Sequence, residues 1–142
     1  MSVLDRFRLD DKRLFITGGS RGLGREMALA CAEAGADVIL VGRDPESLET
    51  TAADIRARGR EAITITADIG QPDECEAACR EALSADAPID ILINNVGGRR
   101  IDVPVADQTL EQWQQILDLN LTSTFVCTRL IGGEMVRRGT PG

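Results

Sequence analysis

Two runs in this chain, Val38-Ile-Leu-Val41 and Ile91-Leu-Ile93, hold no polar residue at all. A strand with one wetted face alternates apolar and polar side chains, whereas a strand covered on both faces is apolar throughout. Both runs are too short for helices and break at Gly42 or at Asn94-Asn95, so they read as strands of a sheet buried on both sides. Arg13–Thr17 and the β-branched Ala62–Thr66 supply two more strand candidates. Between these runs the apolar residues change to helical spacing. Leu23, Met27, Ala30, Cys31 and Ala34 form one stripe, with Gly35 as the stop. Asp44-Pro45 opens a second helix, Asp as cap and Pro at the first position, running to about Arg58. Gln71-Pro72 opens a third, with Cys75, Ala78, Cys79, Ala82 and Leu83 on one face, and a long helical pattern runs from Thr109 to about Arg138.

Strand and helix alternating in this rhythm imply parallel βαβ units with helices on both faces, and right-handed crossovers then give a doubly wound sheet. We expect an α/β, Rossmann-type parallel sheet of about four strands in the order 3-2-1-4, half of such a sheet plus one strand. The whole chain, 1–142, reads as a single dinucleotide-binding domain.

Composition narrows the chemistry. There is no histidine, no tyrosine, and Lys12 is the only lysine. A Ser-His-Asp or Cys-His nucleophile pair is therefore excluded, as is a tyrosine proton donor. A net charge of −7 with 3% aromatic residues argues against a nucleic-acid partner. No stretch approaches the roughly 18 apolar residues of a membrane span. Met1 to Arg13 has no apolar core segment of the signal-peptide kind, and a cytoplasmic location is expected. Cys75 and Cys79, one helical turn apart, could present two thiolates on one face. A metal would need two further ligands and no nearby Cys or His offers them, so Cys31, Cys75, Cys79 and Cys127 read as small buried apolar residues and no metal is expected.

The first strand delivers Thr17-Gly18-Gly19-Ser20-Arg21-Gly22-Leu23-Gly24 straight into a helix. Backbone amides at a helix N-terminus attract phosphate, and glycines let a pyrophosphate approach the main chain. The spacing is Gly-x-x-x-Gly-x-Gly rather than the commoner Gly-x-Gly-x-x-Gly. At the end of the second strand an acidic residue would meet a ribose 2′-hydroxyl and a basic one a 2′-phosphate. This chain presents Gly42-Arg43-Asp44, with Arg21 able to approach from the glycine loop. Two guanidiniums favour NADP, with NAD as the other possibility; in the competing reading Asp44 only caps the next helix and Arg43 is solvated.

These residues together resemble the short-chain dehydrogenase/reductases, from about Leu9 to the last residue. Thr17–Gly24 is similar to that family's Thr-Gly-x-x-x-Gly-x-Gly loop, which implies cofactor contacts from Gly18, Ser20, Arg21, Gly22, Leu23 and Gly24. Asp68, followed by Ile69, matches the acidic residue that in the family contacts the adenine amino group. Asn94-Asn95-Val96-Gly97 resembles the Asn-Asn-Ala-Gly element, which implies cofactor contacts from Asn94, Val96 and Gly97. Asn120, within Leu117-Asp-Leu-Asn-Leu121, matches the catalytic asparagine that holds a water in the proton relay. Asparagine suits a helix interior poorly, so a kink at Asn120 is one reading and an exposed polar position the other. Arg99-Arg100 lie where the family's substrate-side loops begin, and could attract an anion or simply be solvated.

The family's Tyr acid/base, the Lys four residues after it and the Ser before them find no match, since the chain has no tyrosine. We therefore expect the cofactor-binding part of a longer reductase, broken before the fifth strand in a loop over Gly139–Gly142, and inactive by itself. The apolar breadth of the last helix (Leu119, Leu121, Phe125, Val126, Leu130, Ile131, Met135, Val136) and an Ile91–Ile93 edge left open fit that expectation. The resemblance implies hydride transfer between a nicotinamide cofactor and a small carbonyl or alcohol substrate, of the sugar-acid (gluconate 5-dehydrogenase-like) or 3-oxoacyl thioester type. It also implies a homo-oligomer through the helix carrying Asn120. The alternative is a non-catalytic nucleotide-binding or oligomerisation module.

Overall fold

The computed structural model describes residues 1–139; the loop expected over the last residues lies beyond them except for Gly139. Four strands, β1 (Arg13–Thr17), β2 (Asp37–Gly42), β3 (Ala62–Thr66) and β4 (Ile91–Ile93), form one parallel sheet in the order β3-β2-β1-β4. Three helices make the crossovers: α1 (Gly22–Glu33), α2 (Pro45–Arg56) and α3 (Pro72–Leu83). After β4 the chain runs through an irregular segment into one long helical rod. Its parts are α4 (Leu110–Leu117), a π turn (Asp118–Thr122), α5 (Ser123–Cys127), a second π turn (Thr128–Gly132) and α6 (Gly133–Arg138).

The apolar runs are explained by two separate cores. Along a strand successive side chains point to opposite faces. Leu14, Ile16, Val38 and Leu40 turn to one face and pack against Ala28, Leu29 and Ala32 of α1 and Leu48, Ala52 and Ile55 of α2. Phe15, Ile39, Val41 and Ile65 turn to the other and meet Cys75, Ala78, Cys79 and Ala82 of α3 with Val126, Cys127 and Ile131 of the rod. Each fully buried Leu, Ile or Phe contributes about 1.5–3 kcal/mol of transfer free energy, so both faces are essential to the fold.

The Asp44-Pro45 signal acts where expected. The Asp44 carboxylate accepts from the Glu46 N–H at 3.2 Å and Pro45 begins α2. Thr109 and Gln112 close a reciprocal cap on α4, with backbone-to-side-chain bonds of 3.1 and 3.0 Å. Among the described residues β4 pairs only with β1, and Ile91, Leu92 and Ile93 are half-buried at the edge of the sheet. On the rod Leu121, Phe125 and Val136 remain exposed.

The structure changes one expectation outright. Cys75 and Cys79 do not lack a third thiol, because the rod lays Cys127 against them, 3.6 Å from each by sulfur–sulfur distance. The separation of 52 and 48 residues concealed this in the sequence. Cys31 is half-buried at the edge of the other core and stands apart.

Candidate dinucleotide-binding cleft

A cleft of about 340 Å³ opens at the C-terminal ends of β1, β2 and β4. That is the position where strand order reverses in a doubly wound sheet and where ligands enter. Gly18, Ser20, Arg21, Arg43, Ile69, Val96 and Gly97, all among the residues for which cofactor contacts are expected, line it. Gly42, Ala67, Asn95, Gly98, Arg99 and Arg100 line it as well.

The glycine loop is shaped by its neighbours. Gly18 has φ +71°, a left-handed conformation that side chains rarely adopt. Gly24, buried in the first turn of α1, would place a Cβ 2.0 Å from the Gly18 carbonyl oxygen, so only glycine lets helix and loop approach this closely. Arg21, the N-cap of α1, gives no side-chain cap, which leaves the first-turn amides without a side-chain partner. Those amides, the glycine spacing and the adjacent cations fit a dinucleotide pyrophosphate. Gly22 (φ +56°) and the exposed Leu23 belong to that turn and do not line the cleft.

The loop is held from β4. Asn95 donates through Nδ2 to the carbonyls of Thr17 at 3.1 Å and Gly18 at 3.2 Å, while the buried Thr17 hydroxyl accepts from the Asn95 and Val96 N–H groups at 3.1 and 3.2 Å. Asn94 behaves differently. Its Nδ2 donates to Thr128 Oγ1 of the rod at 3.3 Å, away from the cleft. The side chain that supports the loop is thus Asn95, while the Asn94 side chain is tied to the rod.

At the end of β2, Arg43 and Arg21 flank a smaller recess that also includes Ser20, Asp44 and Ser47. Both arginines are exposed and their side chains have no hydrogen-bond or ion-pair partner among the described residues, so the recess offers two guanidiniums beside a hydroxyl pair. Asp44 both lines it and caps α2, and its carboxyl sits below the usual range through the Ser47 hydroxyl bond.

Asp68 is engaged by Arg100, whose Nη1 reaches its two carboxylate oxygens at 2.7 and 2.9 Å. Burial pushes this carboxyl up, but the Arg100 hydrogen bond, the Gly70 N–H and the Arg100 and Arg43 charges outweigh it and hold it low. Arg100, although exposed, is therefore engaged by Asp68 rather than free for a substrate in this conformation. Arg99 instead folds onto its own loop, pairing with Asp102 at 2.5 Å.

Asn120 lies in the first π turn, so the helix does deform there. Its Nδ2 donates to the Ile116 carbonyl at 2.9 Å and to the Gly98 carbonyl at 2.8 Å, and its Oδ1 accepts from the Gly98 N–H at 2.8 Å. The side chain thereby ties the segment after β4 to the rod on the rim of the cleft.

Comparison with known proteins places this geometry. A family model described as short chain dehydrogenase matches residues 12–142. The 2-dehydro-3-deoxy-D-gluconate 5-dehydrogenase of Pseudoalteromonas atlantica is 38% identical, with 96% of this chain and 54% of that protein covered. Among solved structures, a 3-oxoacyl (acyl-carrier-protein) reductase from Agrobacterium tumefaciens with NADP bound superposes with a TM-score of 0.88 at 30% identity, covering 99% of this chain and 54% of that one. A 7α-hydroxysteroid dehydrogenase complexed with NADH and 7-oxo glycochenodeoxycholic acid reaches a TM-score of 0.89 at 31% identity, over 99% and 55% of the two chains. The chain spans about half the length of such relatives.

Proposed function

This chain belongs to the short chain dehydrogenase family, and from that premise we propose that it is the cofactor-binding part of an NAD(P)-dependent oxidoreductase with a preference for NADP. The bound dinucleotide supplies the hydride that passes to or from a carbonyl carbon. The chain's own residues bind and orient. The first-turn amides of α1 and the Gly18–Gly24 loop receive the pyrophosphate, and Asn95 fixes the loop's shape. Val96, Gly97 and Ile69 wall the cleft. Asp68 accepts from the adenine amino group once Arg100 yields it.

One observation carries the NADP preference: Arg21 and Arg43, both exposed, flank the recess at the end of β2, where the adenosine ribose falls in such folds. The NADP complex of the Agrobacterium relative agrees with this reading, and the NADH complex of the steroid dehydrogenase shows that the fold admits both cofactors. Titration of NADPH and NADH by fluorescence tests it. NADPH should bind at least tenfold more tightly, and Arg43→Ala should erase that advantage while leaving NADH unchanged, since a charge-assisted phosphate contact is worth about 1.5–3 kcal/mol. Equal affinities, indifferent to the substitution, refute the preference.

The reaction is carbonyl/alcohol interconversion on a small molecule, of the sugar-acid or 3-oxoacyl kind, as the Pseudoalteromonas and Agrobacterium relatives suggest. Asn120 serves the proton relay, and the Ser and Tyr-x-x-x-Lys that complete it follow residue 142 in the whole protein. These 142 residues alone bind nucleotide without turnover. Sequencing the reading frame past codon 142 tests this, and a stop codon there overturns it. The protein works in the cytoplasm, where four unbridged thiols are at home, and assembles as a homo-oligomer through the rod. Among the described residues no helix is long and apolar enough to cross a membrane.

A further inference from the structure

On the sheet face opposite α1 and α2, three thiols converge that the dinucleotide cleft does not use. Cys75 and Cys79 stand one turn apart on α3, and Cys127 meets them from the last residue of α5. All three are fully shielded from solvent. Sulfur–sulfur distances of 3.6 Å join Cys127 to each of the others, and all three sulfurs lie within 4.8 Å of one another. From this geometry we propose that Cys75, Cys79 and Cys127 form a binding site for a trivalent, thiophilic metalloid of the arsenite class, held by three sulfurs.

The triangle has the right size. A point equidistant from the three sulfurs lies no farther than about 2.4 Å from each, close to the 2.3 Å length of a zinc–thiolate bond. A pyramidal three-coordinate atom sits slightly out of that plane and needs only small rotations about χ1. No other residue has to move in.

Charge and coordination number select the occupant. Zinc prefers four ligands, and with three thiolates it would leave a negative charge in an apolar core. Monovalent copper with three thiolates would leave two. Trivalent arsenic takes three sulfurs and ends neutral. Arsenous acid and three thiols give the tris-thiolate and three waters: three S–H and three As–O bonds break, three As–S and three O–H bonds form, and no atom changes oxidation state. The surroundings offer an apolar wall of Val126, Ile131 and Ala78, and among the described residues no charged side chain is buried to balance a charged complex. Neutral product and dry site match.

Entry requires the rod to lift briefly from α3. The π turns flanking the five-residue α5 interrupt its regular bonding at both ends, and such segments open more readily than a continuous helix.

The test uses the whole chain, reduced, with sodium arsenite as the probe. One arsenic should bind per chain, raising the thermal midpoint and adding near-ultraviolet absorbance. X-ray absorption at the arsenic edge should report three sulfur neighbours. Cys31→Ala should bind as the unaltered chain does, whereas Cys75→Ala, Cys79→Ala and Cys127→Ala should each lose at least a hundredfold in affinity. The absorption measurement needs no variant, so it decides even if a core substitution unfolds the chain. Two sulfurs and an oxygen at the arsenic, binding that depends on Cys31, or no binding at millimolar arsenite overturns the proposal. NADPH titration on the same sample reads the cleft at the C-terminal ends of the strands, which shares no lining residue with the thiols, so the two readings stand or fall separately.

Discussion

Replacing Asn120 by alanine sets two effects of opposite sign against each other. Alanine is the better helix former by up to about 0.7 kcal/mol, and on propensity alone the variant should be more stable. Against this, three hydrogen bonds of 2.8–2.9 Å disappear, one to Ile116 and two to Gly98. Each contributes about 0.5–1.5 kcal/mol net, and because Asn120 is exposed its partners recover water, which favours the lower half of that range. The balance is a loss of about 1–2 kcal/mol, localised where the segment after β4 meets the rod. Urea unfolding reads the total and amide exchange reads the location. The Gly98 N–H should lose its protection while amides of β1 and β2 keep theirs. Asn120→Asp should be destabilised at least as much as the alanine variant, since Oδ1 still accepts from Gly98 but the second carboxylate oxygen now faces the Gly98 and Ile116 carbonyl oxygens, which it cannot donate to. A variant more stable than the parent, or unchanged exchange at Gly98, would show that the side chain does not fasten the cleft rim.

Asp68 gives a pH dependence. Its folded-state carboxyl lies below the ordinary value near 3.9, so its contribution is present above that value and is lost as pH falls through the lower, folded one. Acid unfolding should therefore steepen below about pH 4, and Arg100→Ala should flatten that part of the curve; an unaltered profile would remove the ion pair from the account. Gly24→Ala gains helix propensity of about 1 kcal/mol, but its Cβ would lie 2.0 Å from the Gly18 oxygen and 2.5 Å from Asn95 Nδ2. Overpacking costs about 1–3 kcal/mol, so we expect net destabilisation and at least tenfold weaker NADPH binding, both absent if the loop can simply shift. Leu121 and Phe125 are 64% and 61% exposed on the rod. Aspartate at both should change monomer stability little, within about 0.5 kcal/mol each, yet lower the mass seen by light scattering; an unchanged mass would place the oligomer interface elsewhere.

Strand order and helix placement were legible because they rest on local patterns: unbroken apolar runs, Asp44-Pro45, Gln71-Pro72 and the helical spacing from Thr109. The cleft was legible in outline for the same reason, since the glycine loop and Arg43 follow directly from strand ends. What stayed hidden depended on tertiary parity and distance. Whether Asn94 or Asn95 faces the glycine loop turns on how β4 ends, and one residue of difference reverses the direction. Arg100 meets Asp68 across 32 residues, and no local signal joins them. Cys127 reached Cys75 and Cys79 only because a helix after the sheet folds back over α3.

The two π turns have a geometric consequence for the rod. Leu119, Ser123, Cys127 and Ile131 are all buried, at a strict interval of four residues. An ideal α-helix turns about 100° per residue, so each step of four overshoots a full circle by about 40°. Three such steps would carry Ile131 roughly 120° away from Leu119, off the sheet and towards water. A wider turn advances less per residue and takes the excess back. By placing one such turn before Ser123 and another after Cys127, the rod keeps a single stripe aimed at α3 and the sheet over its whole buried length. The phase of this helix is thus corrected twice, and each correction falls beside a residue with chemistry of its own: Asn120 at the first, Cys127 at the second.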